Sequence, residues 1–281
     1  MKKYKVKKDL NKVLIVLIVA VILIIDVYPI FWMISASFKQ QYEWSMYPAF
    51  SLNKGFYFQN YIDAWTRGRM STFFRNSLIY TLISLVFIVV FSTTVGFAVT
   101  KMNWKLKGFV NNYFQLGIMV PTAIALIPLF QIYNKLGWIN SPFCLIVTYI
   151  AFGLSLSIFL ITGYIKALPD EILEAAVIDG CGIYSLMWNV VVPLMKNAIV
   201  TVLVLQFFFK WNDLLFSMTF ISDTNLKTVQ TGLLYFSDEF GSKNWGAIFA
   251  SVSMSIVPML VLYTFLNKTI IEGMTAGAVK G

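Results

Sequence analysis

The stretch "LPDEILEAAVIDG", Leu168 to Gly180, lies between two long apolar runs and carries four acids, Asp170, Glu171, Glu174 and Asp179. In a chain that is 58% apolar and only 12% charged, such an island needs a cause. Its residues read as a short helix. Pro169 suits a first helical turn, where its missing N–H costs nothing. Asp170, Glu171 and Glu174 fall near the positive end of the helix dipole. Ala175 and Ala176 favour helix and add no bulk. Gly180 can end the helix in a left-handed conformation or let another backbone come close. A second amphipathic piece, "IYSLMWNVVV" from Ile183 to Val192, follows, and Pro193 is expected to open the next element. The residues alone leave two readings open: a protruding surface that a partner approaches closely, or an interfacial helix that merely joins two apolar segments.

The sequence around this island is that of a membrane protein. Charged residues make up roughly 25% of ordinary soluble domains, twice the share found here, and mean hydropathy is +0.74. A membrane helix needs about 20 apolar residues. Six stretches qualify, at 13–34, 75–100, 109–133, 143–165, 197–220 and 245–266, the third interrupted by Pro121 and Pro128. Val13 to Met33 is too long for a signal-peptide core and lacks a small-x-small exit, so it reads as a retained span. The first twelve residues, "MKKYKVKKDLNK", hold six lysines, the flank that keeps an N-terminus in the cytoplasm. Six spans then place the C-terminus inside as well. The expected organisation is a basic cytoplasmic N-terminus at 1–12, one six-helix membrane domain at 13–266 with the acidic loop at 166–196, and a cytoplasmic tail at 267–281. The net charge of +9 is accounted for by that flank and by scattered loop lysines, so it does not point to nucleic acid.

Several chemistries are missing from the sequence. There is no histidine, which removes the usual zinc sites and catalytic triads. Cys144 and Cys181 fall on opposite sides of the bilayer in this topology, too far apart for a disulfide. No stretch fits G-x-x-x-x-G-K-[S/T], the loop that cradles phosphates; "FGSKN" at 240–244 lacks the upstream glycine. No catalytic or metal-binding residue is therefore expected. Two carboxylates, Asp26 and Asp213, fall inside spans, where each could line a transport path or hydrogen-bond a neighbouring helix.

The spacing of the acidic stretch resembles the EAA motif of ABC-importer permeases, E-A-A-x3-G-x9-I-x-L-P. Glu174, Ala175 and Ala176 are followed by three residues and Gly180, and nine more lead to Val190, then Val192 and Pro193. Valines stand where the motif has Ile and Leu. Further matches run along nearly the whole chain in the order found in the carbohydrate-type permeases of maltose-like importers: "SFK" at Ser37 to Lys39, "NSL" at Asn76 to Leu78, "WND" at Trp211 to Asp213, and the ending "GMTAGAVKG" at Gly273 to Gly281.

That resemblance implies an all-α membrane protein with the type I ABC importer permease fold, six transmembrane helices, both termini cytoplasmic and a cytoplasmic coupling helix. It implies one half of a permease heterodimer in a bacterial-type plasma membrane, worked by two cytoplasmic ATPase subunits and fed by an extracytoplasmic solute-binding protein. ATP and magnesium would sit on the ATPases, and this chain would bind no cofactor and catalyse no reaction. Glu174, Ala175, Ala176, Asp179 and Gly180 would contact an ATPase, and the tail at Thr275, Gly277 and Lys280 would reach between the two. The loop at 221–244 would meet the binding protein. A sugar is the expected cargo, with glycerol-phosphate-type and other polar solutes as the alternative. Gln115, Gln206, Trp211, Asn212 and Asp213 are the candidate path residues, since amides suit hydroxyls and aromatic faces suit sugar rings. An ion-coupled secondary transporter would instead show inverted repeats and more intramembrane charge, and would transport without ATP.

Overall fold

Within a bilayer a chain must satisfy its backbone groups internally, which favours helix over every open alternative. The computed structural model accords with that. It describes the backbone of residues 2–240 and 244–278 and the side chains of 12–234 and 244–267. In chain order the helices are α1 (Lys2–Ser37), α2 (Gln41–Met46), α3 (Gln59–Thr66), α4 (Met70–Lys101), α5 (Lys107–Ile118), α6 (Thr122–Lys135), α7 (Pro142–Lys166), α8 (Asp170–Ile178), α9 (Ile183–Ser185), α10 (Val192–Leu194), α11 (Lys196–Trp211), α12 (Leu215–Phe220), α13 (Val229–Phe240) and α14 (Trp245–Ala278). A π-helical turn, Leu186–Val191, joins α9 to α10. No strand occurs among the described residues.

Four helices are long and apolar enough to cross a membrane, namely Lys12–Ser37 of α1, α4, α7 and Trp245–Asn267 of α14. The count rises to six only if two bent pairs are each taken as one span. The third expected span is such a pair: α5 and α6 meet at 103°. The cause lies in Pro121, which disfavours helical backbone at the residue before it and is itself extended, with φ −63° and ψ 128°. Pro128, by contrast, sits inside α6 without ending it. The fifth expected span, 197–220, is also not continuous. At 1.5 Å per residue the 16 residues of α11 cover roughly 24 Å, after which the chain breaks over 212–214 and restarts as α12. On the N-terminal side α11 is bent by 77° from the helical stretch Ile183–Leu194. Two prolines also fall differently from expectation. Pro169 caps α8 from outside, with extended backbone, and Pro193 lies within α10 while the new helix starts at Lys196. Finally, α14 continues past 266 to Ala278.

The chain divides into two compact units. The first, Met1–Met70 with Leu233–Ser255, turns on a buried lysine. The Lys39 ammonium donates to the Ala49 carbonyl (3.0 Å) and the Ser51 hydroxyl (3.2 Å) and lies 4.6 Å from the centre of the Trp44 ring. Asn60 donates to the carbonyls of Ser37 and Lys39, both at 2.8 Å. Gly246 is required beside it, because a Cβ there would run into the Asn60 side chain and the Lys39 carbonyl. These bonds make the segment after the first span a folded cap. The "SFK" match is thus a buried structural knot.

The second unit, Ser71–Gly232 with Ile256–Gly281, carries both regions discussed below. Its helices approach at small residues, as membrane helices do when packing replaces the hydrophobic effect. A Cβ on Gly117 of α5 would strike Ser155 of α7, and one on Gly153 of α7 would press on Ile88 of α4 and Gln206 of α11. The "NSL" match also has a structural cause. Asn76 donates to the carbonyls of Asn225 (2.8 Å) and Lys227 (3.0 Å), and the Ser77 hydroxyl accepts from the Val229 N–H at 2.8 Å. Two side chains at the start of α4 thereby hold residues 225–229 of the 221–244 loop.

Candidate functional site

Helix α8 sits on the protein through a narrow stripe. Leu173 is buried and Ala176 half-buried in a cluster with Phe97, Ile161, Ile165 and Val191, and their i, i+3 spacing puts them on one face. Asp170 adds an ion pair to Lys101, the last residue of α4. Glu174, Ala175, Asp179 and Gly180 are all exposed.

The end of α8 explains the motif's spacing. Gly180 has φ +86°. Its N–H donates to the Val177 carbonyl, and the Cys181 N–H donates back to the Ala176 carbonyl, both at 3.0 Å. This is a Schellman cap, in which a left-handed residue lets two amides satisfy carbonyls that the helix leaves open. With three residues between it and the second alanine, the glycine falls just after the C-cap residue Asp179, two positions past the end of α8, where φ must be positive. No atom lies within 4 Å of a Cβ built on Gly180, so within this chain the requirement is one of conformation alone.

On both sides of the cap the polarity is inverted. Ile178 is 85% exposed and Tyr184 79%, with Val177 and Ile183 also exposed. A groove of about 660 Å³ runs beside α8, bordered by Lys101, Glu174, Val177, Ile178 and Ile183. Apolar side chains grouped on a protruding surface mark an interaction site more often than chance. Sequence reasoning named the motif residues and missed Ile178 and Tyr184. The signal was present, since both are large apolar residues on either side of the capping glycine.

The candidate path residues are scattered by the structure. Gln115 is exposed on α5. Trp211 is 1% exposed, lying against Phe207 and Phe74 with ring centres 5.5 Å away in each case. Asn212 is exposed and donates to the Phe208 carbonyl at 3.0 Å. Asp213 accepts from the N–H groups of Phe216 (3.2 Å) and Ser217 (3.0 Å) at the start of α12, and from the Tyr149 hydroxyl at 2.8 Å. It thus holds the break after α11 together. Gln206 and Asp213 line a common cavity, one of about 370 Å³ beside the bend between α5 and α6. Lys210 joins them there, a residue the sequence reading passed over although "FFFKW" places a lysine inside an apolar run. The side chains of the tail candidates Thr275, Gly277 and Lys280 lie outside the described residues.

Comparison with known proteins gives a consistent set. Residues 88–274 match the family described as "Binding-protein-dependent transport system inner membrane component". The chain is 31% identical over 264 residues to the probable ABC transporter permease protein YurM of Bacillus subtilis (strain 168), covering 92% of this chain and 85% of that protein. It is 28% identical to the probable starch degradation products transport system permease protein AmyC of Thermoanaerobacterium thermosulfurigenes, over 98% of this chain and 99% of that one. Identity is also 28% to the trehalose/maltose transport system permease protein MalG of Thermococcus litoralis, covering 97% and 98%. Among solved structures, a bacterial ABC transporter involved in the import of the acidic polysaccharide alginate contains a chain that superposes with a TM-score of 0.82. That match is at 19% identity and covers 93% of this chain and 97% of the other.

Proposed function

Because this chain belongs to the family of binding-protein-dependent transport system inner membrane components, and is a multi-pass plasma-membrane permease of the sugar-importer type, we propose that it is driven through α8. In this reading α8 and its Gly180 cap seat in a groove of a cytoplasmic ATPase subunit. A second permease completes the membrane pathway, two ATPases hold ATP and magnesium, and an extracytoplasmic binding protein delivers a sugar. The observation that carries the reading is the two-sidedness of α8: Leu173 and Ala176 fasten it to its own chain, while Ala175, Ile178 and Gly180 are left for another. A helix fastened on one face moves as a rigid body when its outer face is pulled. ATP-driven closure of the ATPase pair would then rock the two permeases between inward- and outward-facing states. The ATP-bound pair favours one of those states, as any such coupling requires.

Sugar as the cargo is supported by relatives whose names specify starch degradation products and trehalose/maltose. The tail around Thr275, Gly277 and Lys280 is proposed as a further ATPase contact. The test is Gly180→Asp in the complete transporter. The variant is expected to insert and assemble, yet to lose both uptake and binding-protein-stimulated ATP hydrolysis. Normal uptake with that substitution would sink the coupling role.

A further inference from the structure

The cap that follows α1 has its polarity inside out. In α3, Asn60 and Ala64 are buried and Tyr61 is half-buried, whereas Phe58, Ile62 and Trp65 are exposed. The i, i+4, i+7 spacing of those three puts them on one face. The inner face is held by polar bonds. Asn60 donates to the carbonyls of Ser37 and Lys39, and the Tyr61 and Ser37 hydroxyls share a hydrogen bond of 2.7 Å. Phe50 and Phe56, earlier in the cap, are each 73% exposed. A helix facing water presents the opposite order, and exposed apolar groups of this extent mark an interaction surface. Every exposed charged side chain between 40 and 69 is a cation, Lys54, Arg67 or Arg69, while Glu43 is buried and Asp63 half-buried.

The depth of the cap follows from α1. The stretch Lys12–Ser37 has 26 residues and covers about 39 Å at about 1.5 Å per residue. A bilayer has about 30 Å of hydrocarbon and about 40–45 Å with its headgroups. A crossing of that length leaves Ser37 in the headgroup layer, at the end of α1 away from the basic N-terminus. Trp32, five residues earlier, lies about 8 Å deeper, at the hydrocarbon edge where tryptophan is favoured. Phe50 returns to that depth, its ring centre 5.5 Å from that of Trp32. Phe56, Phe58 and Tyr61 gather around Phe38, the residue after Ser37, with ring centres at 5.3, 5.3 and 5.2 Å.

We infer that this cap is an interfacial membrane anchor, and that its partner is the lipid of the leaflet into which α1 emerges. Phe50 inserts among acyl chains beside Trp32. Phe56, Phe58 and Ile62 lie in the headgroup layer, where apolar side chains on a surface element are taken out of water. The cations meet lipid phosphates, which every phospholipid of the leaflet supplies. A water-soluble protein cannot reach Phe50 at the depth of Trp32, whereas α1 exposes Phe31 and Ile34 to lipid at that level. The inference requires only that α1 crosses the membrane and is independent of how α8 is driven.

The test uses the complete transporter in vesicles of phosphatidylethanolamine and phosphatidylglycerol. Native cysteines, Cys144 and Cys181 in this chain, are replaced by alanine throughout the complex, so that one introduced cysteine carries a nitroxide label. At Phe50→Cys and Ile62→Cys the label should collide more often with oxygen, which concentrates in lipid, than with a water-soluble nickel chelate. The excess should be larger at Phe50. The unsubstituted transporter, irradiated in vesicles holding a lipid with a diazirine in its acyl chain, should carry a lipid adduct at Phe50. That measurement keeps the test decisive where a cysteine variant fails to assemble. Absence of any adduct on residues 41–66 overturns the anchor, as does free access of the nickel chelate to both positions. Protection of both labels from oxygen and chelate alike also overturns it, because the patch would then be covered by protein, whether a partner permease or a docked binding protein.

Discussion

The α8 loop and the cavity at the α5–α6 bend use opposite means. The loop turns apolar side chains outward and closes the end of α8 with backbone bonds around one left-handed glycine. The cavity gathers polar side chains in the interior, and the Gln206 Oε1 there has no hydrogen-bond partner. The determinants of the loop are contiguous in sequence, whereas the cavity is assembled from five helices, α5, α6, α7, α11 and α12, whose residues are far apart in the chain.

That contrast can be broken in several places. The largest loss of stability is expected for Leu173→Ala, which empties the seat of α8 and should cost about 2–5 kcal/mol, read as a lower midpoint of thermal unfolding in detergent. A Leu173→Ala protein of native stability would mean that α8 is not fastened by its inner face. Next is Gly117→Val, which drives a side chain into Ser155 where α5 meets α7. Overpacking there should cost about 1–3 kcal/mol and shrink the cavity, so uptake should fall in parallel with stability. Gly180→Ala should cost only about 1–2 kcal/mol, the strain of a left-handed alanine, with Gly180→Asn milder. A coupling defect far larger than that strain would locate the remainder in contact with the ATPase. Lys101→Met removes an exposed ion pair with Asp170 and should change stability by about 0–1 kcal/mol. The smallest change in stability, within about 0.5 kcal/mol, is expected for Ile178→Ser. That same variant should weaken ATPase docking measurably, so equal docking by native and Ile178→Ser permeases would show the exposed apolar rim to be idle.

The loop was the more legible region because its determinants are local. A Schellman cap is set by the backbone of Ala176, Val177, Gly180 and Cys181, residues close enough for their spacing to be read directly. Helical character in the apolar stretches was legible for a similar reason, since period and length suffice. The breaks were harder to place. Pro121 and Pro128 sit in similar company, yet only Pro121 divides its segment. Trp211 and Gln206 illustrate the same limit at the cavity. Both are polar-tipped residues on one helix, and only packing against Phe74, Phe207 and Gly153 decides that the first fills the interior while the second borders an empty space.

By itself the sequence determined a polytopic helical membrane protein and the position of α8, with a glycine after it that either a left-handed helix end or a close backbone approach would explain. These follow from hydrophobic length and helix propensity, both properties of neighbouring residues, while the structure settled the glycine's left-handed φ. The tertiary structure alone decided which apolar residues of the loop face outward, where the third and fifth segments bend, and that Gln206, Lys210 and Asp213 share a cavity. Those outcomes depend on which helices meet and how closely, and the small residues that permit the approach, Gly117 and Gly153, reveal their role only when the partner side chains are in place.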